Sequence, residues 1–148
     1  MRQSNRGFTL VELLVVMAII GILATLGIPK LRNTRERTSR ASMLTDLKNL
    51  IALQEAYFAS TDDYAGGITT GPEIRVVGDG GRITFFPSTG NVITVSRMTT
   101  SVNGAGWSAT ATNPQVTSPE SDVCGIFVGH TSYAPNAAVT QSGIPVCY

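Results

Sequence analysis

From Phe8 to Ile28 the chain runs for 21 residues with one ionisable side chain, Glu12. At ~1.5 Å rise per residue, a helix of that length spans roughly the hydrocarbon thickness of a bilayer. Pro29 cannot donate to the carbonyl of Thr25, and together with Gly21 and Gly27 it marks the place where a kink or local loosening is expected. From Met43 onward apolar residues return at helical spacing. Leu44, Leu47, Leu50, Ile51, Tyr57 and Phe58 share a face, with Lys48 and Glu55 at its edge and Asn49 opposite. The stop signal is Asp62-Asp63-Tyr64-Ala65-Gly66-Gly67, where paired glycines remove the helix preference. A helix from Phe8 to Ser60, 53 residues, would be about 80 Å long, so neighbours must bury its first half.

Beyond Gly67 the period changes to two. Ile74–Val77 and Arg82–Phe86 flank Gly78-Asp79-Gly80-Gly81, a hairpin signal. Asn91 to Thr99 and Trp107 to Thr112 alternate and are joined by Ser101–Gly106, again hairpin-like, and Cys124 to Val128 is a further short strand. An antiparallel sheet with one apolar face would cover the Leu47, Ile51 and Phe58 side of the helix, with Trp107, Phe85 and Phe127 in the core. The expected fold is therefore α+β: a long N-terminal helix, apolar in its first half and amphipathic in its second, packed on a small antiparallel β-sheet head.

The apolar run is too long for a secretory signal peptide, and nothing like Ala-x-Ala follows Ile28. The small residue that resembles a cleavage point, Gly7, precedes the run, so cutting there leaves the apolar helix on the mature protein. Arg6-Gly7-Phe8-Thr9-Leu10-Val11-Glu12-Leu13 resembles the cleavage and methylation signature of type IV pilins and the related pseudopilins of type II secretion. The resemblance implies that a prepilin peptidase cuts between Gly7 and Phe8 and that the new Phe8 amine is N-methylated. It also implies that Glu12 pairs with the Phe8 amine of a neighbouring subunit. Glu12 supports this on physical grounds, because a carboxylate within a transmembrane run is costly and usually faces a partner. Pairing neutralises two buried charges and sets axial register. The competing reading places Glu12 in the headgroup region, simply solvated.

The 148 residues suit one domain plus an extension. The four expected segments are a cleaved basic leader (1–7), a transmembrane and assembly helix (8–28), an amphipathic helix (29–62) and a head (63–148). Formal net charge is +1, but residues 30–48 hold six basic side chains against two acidic, and residues 49–148 hold three against seven. The basic side chains that follow the apolar run would, by the positive-inside rule, put the head in the cytoplasm. The two cysteines argue otherwise. Cys147 is one residue from the C-terminus, where a disulfide with Cys124 would tie down an end that would otherwise fray, and a disulfide needs an oxidising compartment such as the periplasm. A two-Cys metal site is the competing reading; it would want further ligands, and His130 is the single histidine. The disulfide and the resemblance outweigh the charge count.

No Ser, His and Asp or Cys and His constellation is suggested, and Gly78–Gly81 lacks the Lys-Ser/Thr of a phosphate loop, so no catalytic residue and no cofactor are assigned. Asp62-Asp63 supplies too few oxygens for a pseudopilin-type calcium loop, and the pair is read as solvated acids at a helix end. The looser likeness of Gln54–Phe58, Gly106–Thr112, Cys124-Gly125 and Pro145-Val146-Cys147 to some bacterial pilin-like subunits with a small C-terminal domain assigns the head no ligand.

The reading is a structural subunit of a type IV pilus-like filament, serving motility, adhesion or DNA uptake. It is stored in the inner membrane with its head in the periplasm, then assembled by inner-membrane machinery into an extracellular homo-oligomer. The alternatives are a pseudopilin of type II secretion and a membrane-anchored binding module that never polymerises. Nucleic acid is disfavoured as a partner of Arg32, Arg35, Arg37 and Arg40, since Lys30–Arg40 interleaves no aromatic for base stacking. The basic stretch is expected instead to contact the acidic distal region of neighbouring subunits.

Overall fold

The computed structural model describes residues 7–66, 68–69, 76–77 and 83–148. Leader residues 1–6, the Gly78–Gly81 turn, and Glu73, Ile74, Arg75 and Arg82 lie outside them. Among the described residues one α-helix, α1 (Leu10–Thr61), precedes seven strands: β1 (Ile68–Thr69), β2 (Val76–Val77), β3 (Thr84–Phe85), β4 (Val92–Thr100), β5 (Gly104–Thr112), β6 (Val123–Val128) and β7 (Val146–Cys147). The chain divides into two compact units, Met1–Arg35 and Glu36–Tyr148.

In the first unit, Phe8 to Ile28 is exposed throughout. This is the one helix among the described residues long and apolar enough to cross a membrane. The helix continues through Gly21 and Pro29. The Thr25 hydroxyl donates back to the Gly21 carbonyl at 2.7 Å, a bond of the kind that accompanies helix bending.

In the second unit, five strands form an antiparallel sheet in the order β1-β4-β5-β6-β7, while β2 pairs with β3 separately. Alternation along the strands decides what each face buries. Val95, Ala109 and Ile126 lie side by side in register. They join Ile93, Trp107, Ala111 and Cys124 in a core with Met43, Leu47 and Leu50 of α1, and Leu44, Ile51, Tyr57 and Phe58 pack at its margin. Each large apolar side chain so buried contributes about 1.5–3 kcal/mol. The β4–β5 ladder runs from Val92↔Thr112 to Thr100↔Gly104, so the strands extend into the expected Ser101–Gly106 connection and leave only Ser101–Asn103 to turn.

Phe127 departs from expectation. It is fully buried, but it belongs to a second cluster with Tyr133 and Val139, against which Met98, Val146 and Tyr148 pack. Residues 124, 126 and 127 cannot all face the helix, because successive side chains of a strand point to opposite sides. The segment after β6 therefore covers the far face of the sheet. Close approach makes two glycines necessary there: a Cβ on Gly106 would lie 2.5 Å from the Val128 carbonyl oxygen, and one on Gly125 would lie 2.7 Å from the Pro135 ring. Cys124 and Cys147 are disulfide-bonded and directly paired between β6 and β7, which fastens the end of this covering segment.

Two polar side chains point inward from the helical face that the pattern assigned to apolar contact. Asp46, 3% exposed, accepts from the Ser88 backbone N–H at 2.8 Å, the Ser88 hydroxyl at 2.9 Å and Asn91 Nδ2 at 2.6 Å. Asn113 Nδ2 in turn donates to Asn91 Oδ1 at 2.7 Å, so the helix is tied to the segments flanking β4 and β5. Gln54, fully buried, donates to the Ala65 carbonyl and accepts from the Ala65 N–H, both at 3.0 Å.

Candidate processing and assembly site

The site is built on the start of α1. Gly7, Phe8 and Thr9 precede the helix, and Phe8 is 83% exposed. The Gly7–Phe8 bond therefore lies in non-helical backbone. Glu12 lies in the first helical turn, where a carboxylate opposes the positive end of the helix dipole. Its Oε2 accepts from the Thr9 backbone N–H at 2.9 Å and the Thr9 hydroxyl at 2.8 Å, while the Glu12 N–H donates to Thr9 Oγ1 at 3.3 Å. These reciprocal bonds make a capping box, which satisfies two amide donors the helix would otherwise leave open. Thr9-x-x-Glu12 is its sequence signal; reading Glu12 only as half of an intersubunit pair passes over Thr9. The carboxylate is thus satisfied within a single copy and still has oxygen capacity for a further donor.

At the start of the second unit, Glu36 accepts from the Thr117 hydroxyl at 2.6 Å and the Ser118 hydroxyl at 3.1 Å, with Arg40 Nη2 at 3.5 Å. Donation by Thr117, outweighing the effect of burial, holds the Glu36 carboxyl below the ordinary carboxylate range. Ser39, buried, donates to Gln115 at 3.3 Å. Within this unit, residues 36–39 of the helix are thereby joined to the loop after β5.

Asp63 is not the solvated acid expected of a helix end. Both of its oxygens engage Arg97 of β4, through Nε at 3.0 Å and through Nη2, a bidentate pair. Asp62 before it takes a left-handed φ of 58° as the helix terminates, and the Asp62 N–H donates to the Phe58 carbonyl at 2.8 Å. His130 Nδ1 accepts from the Ser132 N–H at 3.2 Å and caps the short 3₁₀ turn Thr131–Tyr133, a local structural use. Among the described residues, no group of three or more His, Cys, Asp or Glu is placed to hold a metal ion.

Residues 2–28 match the family model for the prokaryotic N-terminal methylation motif. The type IV major pilin protein PilA of Myxococcus xanthus is 43% identical over 72 residues, 47% of this chain and 33% of that protein. The type II secretion system core protein G of Aeromonas hydrophila is 33% identical over 96 residues, 58% of this chain and 67% of that protein. The major component of the type IV wide pilus of Thermus thermophilus is 28% identical over 129 residues, 82% of this chain and 98% of that protein. The chain thus spans only a third of the length of the Myxococcus relative, against nearly all of the Thermus one. No solved structure shows a significant match. With the motif at its start, a long apolar helix and a small antiparallel head, the chain belongs to the family of type IV pilins and type II secretion pseudopilins.

Proposed function

We propose that this protein is stored as a single-pass inner-membrane precursor with its head in the periplasm, is cut between Gly7 and Phe8 by a prepilin peptidase, and is packed by inner-membrane machinery into a helical filament. Membership in the family makes it a structural subunit with no catalytic role. The observation that carries the reading is the apolar surface of Phe8–Ile28, exposed on all sides. A bilayer covers such a surface before assembly; afterwards only neighbouring helices can. Glu12, capped by Thr9 in one copy, meets the methylated Phe8 amine of the next. The Gly21–Pro29 stretch is where the helix loosens to fit that packing.

Core protein G relatives favour a pseudopilus of a type II secretion system as the form of the filament. A surface pilus is the second reading, favoured by the match across 98% of the Thermus wide-pilus component. Deletion of the gene tests the two. Loss of protein secretion with unchanged sheared surface fibres supports the pseudopilus, and loss of the fibres with secretion intact supports the pilus. Intact mass of membrane-extracted protein tests the common core: a mature chain that keeps Met1, or one that begins beyond Ile28, rules out the processing scheme.

A further inference from the structure

Lys30, Arg32 and Arg35 follow the apolar run within two turns, and all three are exposed. Among the described residues, neither ion pair of the chain involves any of them. At about 100° per residue, Arg32 and Arg35 stand roughly 200° and 140° around the helix from Lys30. No half of the circumference holds all three. A protein partner that meets one side of the helix would call for cations on one side. A layer that surrounds the helix calls for cations on several.

We propose that Lys30, Arg32 and Arg35 form a collar that binds the headgroups of anionic phospholipids on the periplasmic surface of the inner membrane and fixes how deeply the helix is inserted. The proposal rests on the membrane-stored stage described above and is independent of the type of filament. Axial distances support it. With Ile28 at one hydrocarbon boundary, Phe8 falls about 30 Å away, near the other, and Glu12 about 6 Å inside it. Lys30 and Arg32 then stand about 3 and 6 Å beyond Ile28, in the headgroup layer. Arg35, about 10 Å beyond, reaches back along its aliphatic stem. Anionic headgroups attract cations held at this depth, and the attraction falls off within a Debye length. The collar also accounts for basic side chains on a face that the positive-inside rule would leave poor in them: they hold a head that has already crossed.

The test uses the full chain and its Lys30→Gln/Arg32→Gln/Arg35→Gln variant, each reconstituted in nanodiscs, with the association of spin-labelled phosphatidylglycerol compared with that of spin-labelled phosphatidylcholine. Incorporation itself checks the membrane-stored stage, because failure of both chains to enter nanodiscs would overturn that stage and the collar with it. For the native chain the expected preference for phosphatidylglycerol is roughly fivefold, the ratio that about 1 kcal/mol gives. It should drop toward unity in the triple variant and in high salt. Arg2 and Arg6 are present in both chains, so the difference isolates the collar. Equal preference in the two chains overturns the proposal. So does a preference abolished by inorganic phosphate but not by chloride of equal ionic strength, which would mark a site for free phosphate. If neither chain prefers phosphatidylglycerol and only the native chain forms salt-sensitive oligomers, the collar is an intersubunit contact instead.

Discussion

Replacing Asp46 by Ala should destabilise the head far more than a change at a helix surface. The native carboxylate is 3% exposed and accepts three hydrogen bonds, two from Ser88 and one from Asn91. Bonds to a charged group contribute about 1.5–3 kcal/mol each, and their loss leaves the half-buried Ser88 N–H without this acceptor and takes from the buried Asn91 amide its shortest bond, leaving it the 3.2 Å donation to Ser42 Oγ. The three losses are not additive, and a water entering the vacated space would restore part of the bonding, so the expected cost is roughly 3–5 kcal/mol. Against the ~5–15 kcal/mol typical of a domain, this lowers Tm by at least about 10 °C. Asp46→Asn keeps the volume but turns an NH2 toward groups that are themselves donors, so it should recover less than half of the loss. Trp107, the single tryptophan and fully buried, reports unfolding by fluorescence in the detergent-solubilised full chain. A fall in Tm of less than about 3 °C for Asp46→Ala would refute the claim that this clamp holds helix to sheet.

Three further outcomes are expected. Ser at both Cys124 and Cys147, which are 23 residues apart, should cost roughly 3.5 kcal/mol on the chain-entropy account and lower Tm, whereas thiols titrating in native protein prepared without reductant would show that no bridge forms. Because the folded-state pKa of Glu36 is lowered, its contribution to stability is present above the unfolded carboxylate pKa and lost as pH falls through the folded value; Glu36→Gln should flatten the acid limb of a Tm–pH profile below about pH 4.5, and an unchanged limb counts against the role. Glu12→Val should enter membranes at least as well as the native chain yet fail to be incorporated into filaments, and normal filament yield from cells making only the substituted subunit would exclude Glu12 from assembly.

The fold class was legible because its two signals are long and of different period. A 21-residue apolar run followed by helical spacing can be little other than an extended helix, and the alternation in 91–99 and 107–112 specifies paired strands. What escaped is what periodicity does not encode. The run from Cys124 to Val128 is apolar on both sides, so it cannot reveal that Phe127 faces away from the helix until the segment covering that side is seen. Asp46 and Gln54 occupy inward positions that a count of apolar residues passes over; the partners of Asp46 lie 42 and 45 residues away along the chain and that of Gln54 lies 11 away. Asp63 looked like one of two solvated acids because Arg97, its partner, is 34 residues distant. Thr9 was the exception: its relation to Glu12 is local, and a reading for helix caps would have found it.

Gln54 carries a consequence for exchange with solvent. Its side-chain amide does for Ala65 what a neighbouring strand does for a residue in a ladder, offering one acceptor and one donor to the same residue. Ala65 lies in no helix or strand, yet its amide is buried and bonded. Loop amides ordinarily trade their protons for deuterium quickly, whereas this one should do so only when the end of the helix separates from the chain that follows it. It is therefore an internal clock for that opening. Glu in place of Gln54 would keep the acceptor, set an oxygen against the Ala65 carbonyl, and run the clock faster.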